Sequence, residues 1–109
     1  MKLITPYNSQ NNQNCSRPVN KRGKLTGYAK ILLEVQKDTR KGYSKLELLE
    51  KALPHIAELM HRGVYTRATY NQSFASMSVN DILEYDNSDR KWYAGINFNE
   101  YMHTYLRGY

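Results

Sequence analysis

A polar and nearly uncharged stretch, RATYNQSFASM, occupies residues 67–77. Arg67 carries its one charge, and six of its residues have a hydroxyl or an amide: Thr69, Tyr70, Asn71, Gln72, Ser73 and Ser76. Hydroxyls and amides both donate and accept hydrogen bonds, and short side chains let a surface come close to another surface. The stretch is either a surface helix that happens to be polar or one that contacts a partner.

Residue types that carry catalytic or metal chemistry are sparse and poorly spaced. His55, His61 and His103 have no cysteine or paired acid at ligand spacing, so a metal site is not expected. Cys15 is the single cysteine, which excludes a disulfide within one chain and a multi-cysteine zinc site. No phosphate loop, dinucleotide fingerprint or nucleophile elbow occurs. We predict a protein that is not an enzyme and uses no cofactor.

Positive charge is concentrated near the N-terminus. The chain of 109 residues has a net charge of +6, and residues 1–24 contribute five bases without an acid. The bases there include Lys21, Arg22 and Lys24, and a second acid-free interval runs between Glu58 and Asp81. A polyanion would meet less repulsion on these segments than elsewhere. The alternative is that the basic segment only aids solubility.

The N-terminal composition predicts a flexible arm rather than a folded element. Residues 8–20 contain five Asn, two Gln and two Ser, which bury too little apolar surface to offset the entropy of ordering them. We predict an arm over residues 1–23 and one folded domain over 24–109. No apolar run is long enough for a membrane helix or a signal peptide, so a cytoplasmic protein without membrane contact is expected.

Helical periodicity predicts the elements that precede the polar stretch. Thr26 is a candidate N-cap of a first helix whose apolar face is Tyr28, Ile31, Leu32 and Val35. Ser44 and Glu47 have capping-box spacing, and they open a second helix with a stripe of Leu46, Leu49 and Leu53. Pro54 ends that helix or begins another short one, which would stop at Gly63.

The polar stretch itself is predicted to be a helix over residues 66–77. Tyr70, Phe74 and Met77 stand at i, i+4 and i+7 and are expected to face the body. The side chains expected to face outward are Ala68, Gln72, Ala75 and Ser76, with Thr69 and Asn71 on the flanks. The alternative is a helix that packs against neighbouring elements on both sides.

A hairpin and a last helix follow. Residues 82–85 and 91–96 have strand composition, and the turn residues DNSDR, 86–90, separate them. Asn97 and Glu100 have capping-box spacing at the start of a C-terminal helix, whose apolar positions are Phe98, Tyr101, Met102 and Tyr105.

The order helix, helix, polar helix, strand, turn, strand, helix resembles the winged helix-turn-helix family, in particular the small proteins of phages and mobile elements. The likeness covers about residues 24–105. Its closest segments are Tyr70-Asn71-Gln72-Ser73-Phe74-Ala75, Ile82-Leu83-Glu84-Tyr85 and Lys91-Trp92-Tyr93. The fold class that this implies is mainly α with a small β-hairpin.

The resemblance implies a small transcriptional regulator that binds double-stranded DNA. Its third helix would enter the major groove, where Asn71 and Gln72 could pair with adenine and Thr69 could contact a thymine methyl. Further candidates for DNA contact are Arg67, Ser76, the wing residues Arg90 and Lys91, and the arm residues Lys21, Arg22 and Lys24.

Two alternatives stay open. Winged helices also serve as protein-interaction modules, such as adaptors and inhibitors, without DNA binding. A homodimer through the tyrosine-rich C-terminal helix is compatible with either function.

Overall fold

Five helices and one hairpin make up the regular structure of residues 17–109, the part of the chain described by the computed structural model. The elements are α1 Gly27–Gln36, α2 Lys45–Ala52, α3 Pro54–His61, α4 Asn71–Val79, β1 Leu83–Asp86, β2 Lys91–Ala94 and α5 Phe98–Tyr105. A mainly helical chain with a small antiparallel hairpin is therefore confirmed. None of the helices within this range has the length and apolar character needed to cross a membrane.

Local capping sets where the first three helices begin. The Thr26 side chain accepts a hydrogen bond from the Ala29 amide, and the Ser44 hydroxyl accepts one from the Glu47 amide at 3.0 Å. Both oxygens satisfy donors that the first helical turn leaves unpaired. Pro54 occupies the first turn of α3, where its missing amide hydrogen is not needed.

The end of α3 is fixed by Gly63. Its φ of +81° lies in the left-handed region, which glycine adopts without steric conflict. The Gly63 amide donates to the Met60 carbonyl at 3.0 Å, and the Val64 amide donates to the Leu59 carbonyl at 2.8 Å. This pair of bonds is the Schellman arrangement, and it confirms the predicted stop.

The core forms where α1 meets α2 and the later elements. Tyr28, Ile31, Leu32 and Val35 of α1 are all buried, as their spacing predicted. The stripe predicted for α2 is wrong at Leu46, which is 44% exposed, whereas Leu48 and Leu49 are fully buried. α2 packs against both α1 and α3, so its buried face includes Leu48 as well as Leu49.

Trp92 joins the hairpin to the helices. The hairpin is antiparallel, with Tyr85 opposite Trp92, and the Trp92 ring lies 5.0 Å from the rings of both Phe74 and Tyr85. The backbone of Trp92 also exchanges two hydrogen bonds with Tyr43, at 2.9 and 2.6 Å. The link between α1 and α2 thus pairs with β2 as a one-residue third strand.

α4 turns into the hairpin through a tight joint. Asp81 has a left-handed φ of +58°, and the Ile82 amide donates to the Met77 carbonyl at 2.8 Å, which closes the helix end. Gly95 lies so close to this joint that an added Cβ would overlap the Asp81 carbonyl group. The Gly95 amide donates to the Ile82 carbonyl at 2.8 Å.

We expect Gly95→Ala to destabilise the domain by about 2 kcal/mol, because the new methyl group must displace backbone rather than a movable side chain. Urea unfolding followed by circular dichroism measures the loss. Ile96→Ala is the matched control, since Ile96 is 88% exposed and its truncation should change stability by less than about 0.5 kcal/mol. Equal stability of the two variants would show that the close approach is not needed.

The C-terminal helix begins where expected, but its predicted capping box is wrong. No side-chain cap bond forms at Asn97. Instead, the Asn97 amide group donates from Nδ2 to the Asn80 carbonyl at 3.1 Å, because α5 starts directly against the end of α4. Phe98, Met102 and Leu106 fill the core from α5 and the residue after it.

Part of the predicted arm is hydrogen-bonded to the body. The Thr26 amide donates to the Pro18 carbonyl at 3.1 Å, and the Thr26 hydroxyl donates to the Arg17 carbonyl. Val19 pairs with Leu25 across an antiparallel bridge. The prediction of a flexible arm for residues 1–16 lies outside the described residues.

Candidate nucleic-acid interface

α4 begins at Asn71, not at residue 66 as predicted. Tyr70 has a left-handed φ of +68°, which interrupts any helix running in from Arg67. The Tyr70 ring lies against Gly27, at a place where any Cβ would overlap it. Arg67 and Thr69 therefore stand in a turn before the helix, and this tertiary contact is the reason that the helix is shorter than its sequence suggests.

The predicted inward face of α4 is confirmed at its main positions. Phe74 is 3% exposed and Met77 is fully buried, while Tyr70 is partly buried and packs against the core. The outward set, which we call the polar face, consists of Asn71, Gln72 and Ala75, all exposed. The sequence therefore placed Gln72 correctly.

The outward placement of Ser76 is wrong. Ser76 is 4% exposed, and the Asn80 side chain donates to its carbonyl at 2.9 Å and contacts its hydroxyl at 3.4 Å. α4 buries a broad face because the hairpin and α5 both pack near it, and Ser76 falls at the edge of that face. Ser76 is therefore not part of the exposed outer surface of α4.

Lys45 is a residue of this region that sequence reasoning missed. Its ammonium group donates to the Arg67 carbonyl at 2.9 Å and to the Asn71 side-chain oxygen, and it lies 5.6 Å from the centre of the Phe74 ring. Burial lowers the pKa of Lys45. The contact orients Asn71 at the start of α4. The sequence marks Lys45 only as the first residue of α2, with no sign of a partner 26 positions away.

A groove of about 680 Å³ runs beside the start of α4. We call it the α4 groove, and residues lining it include Asn20, Thr26, Gly27, Thr69, Asn71 and Gln72. Its walls are thus the first turn of α4 on one side and the segment preceding α1 on the other. Three of the predicted contact residues, Thr69, Asn71 and Gln72, come together here.

The predicted arm cations stand in a turn at the edge of this groove. The basic turn, residues 20–24, is closed by the Asn20 side-chain oxygen, which accepts from the Arg22 amide at 2.8 Å and the Lys24 amide at 3.0 Å. Gly23 supplies the left-handed φ of +79°. Lys21, Arg22 and Lys24 are all exposed. The turn therefore presents three cations beside a groove-lining residue.

The ion pairs of the described residues are confined to one part of the surface. The ion pairs within residues 17–109 join Lys37 to Glu34, Lys41 and Lys51 to Glu47, and His61 to Glu50. All of them lie on α1, α2, α3 and the connection between α1 and α2. The basic turn and Arg67 take part in none of these pairs, so their positive charge is not neutralised by a neighbouring carboxylate.

The wing carries acids as well as bases. Arg90 and Lys91 are exposed, but Asp86 and Asp89 stand in the same turn. The Ser88 hydroxyl donates to Asp86 at 2.6 Å and its amide donates at 2.8 Å, and these bonds lower the pKa of Asp86. These bonds therefore favour the charged form of Asp86. The structure does not bring Arg90 and Lys91 into the α4 groove.

No cluster of three or more metal-ligating side chains occurs in residues 17–109. Comparison of the chain with protein-family models, curated protein sequences and solved structures finds no match.

Proposed function

We propose that the protein is a sequence-specific double-stranded DNA-binding protein, of the kind that regulates transcription in a phage or mobile element. The observation that carries the proposal is the meeting of the basic turn with the polar face of α4 across the α4 groove. The basic turn would hold the phosphate backbone, while the polar face would read base edges.

The charge distribution supports phosphate binding at this surface. Lys21, Arg22 and Lys24 are unpaired by acids, and their turn has a fixed backbone conformation. Cations without an internal partner release counterions from DNA on binding, which drives association. The first turn of α4 adds to this effect, since it has no side-chain cap and the positive end of a helix favours phosphate.

The polar face supports base reading. Gln72 stands in the first turn of α4 and is exposed, and its amide has the donor and acceptor needed for the N6 and N7 groups of adenine. Asn71 has its side-chain oxygen occupied by Lys45, which orients its amide nitrogen as a donor. Asn71, Gln72 and Ala75 are themselves uncharged, and the Lys45 ammonium group that contacts Asn71 adds a positive charge beside them.

The strand arrangement supports the winged-helix interpretation. The link before α2 pairs with β2 through Tyr43 and Trp92, while β1 pairs with the other edge of β2. The resulting small sheet has the Tyr43 segment beside β2, and the polar helix α4 directly precedes the β1–β2 hairpin. This arrangement fits the winged helix-turn-helix architecture that the sequence resembles. α3 is an addition to the simplest helix-turn-helix arrangement.

The wing contributes less than the basic turn in this proposal. Asp86 and Asp89 offset the charges of Arg90 and Lys91 at the hairpin tip, so phosphate attraction there is weak. We assign Arg90 and Lys91 to peripheral phosphate contacts, and Arg67 to a phosphate or a guanine edge.

The experiment is selection of duplexes from a random-sequence pool by the purified chain, followed by fluorescence anisotropy on the selected duplex. We expect a preferred sequence and an affinity that falls steeply with salt. Uniformly weak binding to every duplex would overturn the proposal of sequence-specific reading.

Gln72→Ala is expected to weaken binding to the selected duplex by about 1–3 kcal/mol and to relax preference at one base pair. Arg67→Ala is expected to weaken binding by a similar amount. Anisotropy titrations with the selected duplex and with singly substituted duplexes measure both effects. Gln36→Ala, an exposed glutamine on α1, is the control and should bind like the parent protein.

A further inference from the structure

A second groove, which we call the Leu46 groove, lies between α2 and the end of α3. It encloses about 560 Å³ and is lined by Lys45, Leu46, Leu49, Met60, His61 and Arg67. Its floor is apolar and runs from the fully buried Leu49 to Leu46, which is 44% exposed. The groove therefore continues the core outward to the surface.

Two more exposed apolar side chains lie on the connection that follows α3. Val64 is 59% exposed and Tyr65 is 41% exposed, and both stand on the connection between the lining residues His61 and Arg67. Large apolar side chains exposed close together are typical of contact sites rather than of solvated surface. The size and shape suit two or three apolar side chains of another segment.

The rim of the groove is mainly cationic. Arg67 belongs to no ion pair of residues 17–109, and Lys45 donates to the Arg67 carbonyl at 2.9 Å. Lys45 is partly buried, so water screens its ammonium group less than that of an exposed lysine, and the same burial lowers its pKa. His61 stands 3.4 Å from Glu50, an acid that contacts this lining residue. A carboxylate near Lys45 and Arg67 would be attracted through a partly desolvated path.

We propose that the Leu46 groove binds an acidic amphipathic helical segment of a partner protein. Apolar side chains at i, i+3 or i+4, and i+7 would contact Leu46, Leu49 and Met60, and flanking carboxylates would face Lys45 and Arg67. The lining of this groove contains no residue of the polar face of α4, although Lys45 contacts Asn71, and the proposal does not depend on DNA binding. Because Arg67 belongs to both surfaces, the segment and DNA would compete.

The test is selection of 16-residue peptides from a random display library on the full-length protein, followed by affinity measurement with the selected labelled peptides. We expect apolar residues at helical spacing together with Asp or Glu. Failure to enrich any sequence above the protein-free support would overturn the proposal. Enrichment of basic or uncharged sequences would also overturn it.

Variants of the groove locate the binding. Leu46→Glu and Arg67→Glu are each expected to lower peptide affinity at least tenfold, whereas Glu50→Gln should raise it two- to threefold by removing a like charge. Ile96→Glu is the control, because it adds the same charge at an exposed apolar residue outside the groove, and it should leave affinity unchanged. Equal effects of Leu46→Glu and Ile96→Glu would exclude the groove.

Light scattering tests whether a second copy of this chain, instead of a partner protein, occupies the groove. We expect the parent protein and Leu46→Glu to have the same mass in solution. A parent dimer that Leu46→Glu dissociates would assign the groove to a second copy of this chain and overturn the proposal. Since no DNA enters these measurements, their failure leaves the DNA-binding proposal to its own test.

Discussion

Replacing Lys21, Arg22 and Lys24 together by glutamine is expected to lower the affinity for the selected duplex by about 100-fold at low salt, because three of the proposed phosphate contacts would be lost. The slope of log affinity against log salt concentration should become shallower by roughly 3, close to one unit for each phosphate contact removed. All three side chains are exposed and unpaired within residues 17–109, so folding should be retained. Anisotropy titrations at several salt concentrations measure both quantities.

A second triple variant distinguishes the effect of where the positive charges lie from the effect of the protein's net charge. Lys30, Arg40 and Arg107 are also exposed and belong to none of the ion pairs of residues 17–109, but they lie on α1, just beyond it and just after α5. Replacing them by glutamine removes the same charge and should change affinity less than about fivefold, since only long-range attraction is lost. Equal losses for the two triple variants would mean that DNA responds to the net charge, without a located interface.

Trp92→Ala is expected to destabilise the domain by about 3 kcal/mol. The change removes ring contacts at 5.0 Å to Phe74 and Tyr85, each worth about 0.5–1.5 kcal/mol beyond burial. It also loosens the hairpin from α4, so the melting temperature should fall by about 13 °C.

Circular dichroism is the suitable readout for this variant, because Trp92 is the one tryptophan of the chain and its fluorescence is removed. Tyr109→Ala, at an aromatic residue that is 61% exposed, is the control and should alter stability by less than about 0.5 kcal/mol. A loss below about 1 kcal/mol for Trp92→Ala would show that the hairpin is held by other contacts.

Features of the fold that depend on neighbours in sequence were predictable. Thr26 and Ser44 cap their helices by accepting hydrogen bonds from amides three residues ahead. Gly63 ends α3, where its amide donates to the Met60 carbonyl and the next amide donates to the Leu59 carbonyl. Such local chemistry is visible in a single sequence because the partners are a few residues apart. The hairpin was predictable from its strand composition and turn residues, and the burial of Phe74 and Met77 was predictable from helical periodicity, because these signals also lie within a few residues of one another.

Features that depend on distant partners were not predictable. α4 starts late because the Tyr70 ring rests on Gly27, and Ser76 is buried because α5 and the hairpin pack beside it. Lys45 orients Asn71 across 26 residues, and Tyr43 pairs with Trp92 across 49 residues, a contact that no pattern in either segment announces. The position of the basic turn beside α4, which makes up half of the candidate interface, also depends on partners that are distant in sequence.

The most direct test of the proposed interface is a map of backbone amide chemical shifts on adding the selected duplex to ¹⁵N-labelled protein. We expect the largest changes at the basic turn, residues 20–24, and at residues 67–75, with small changes along α5. Changes centred on α5 or on the α1–α2 surface, with the basic turn and the start of α4 unaffected, would contradict the interface proposed for this protein.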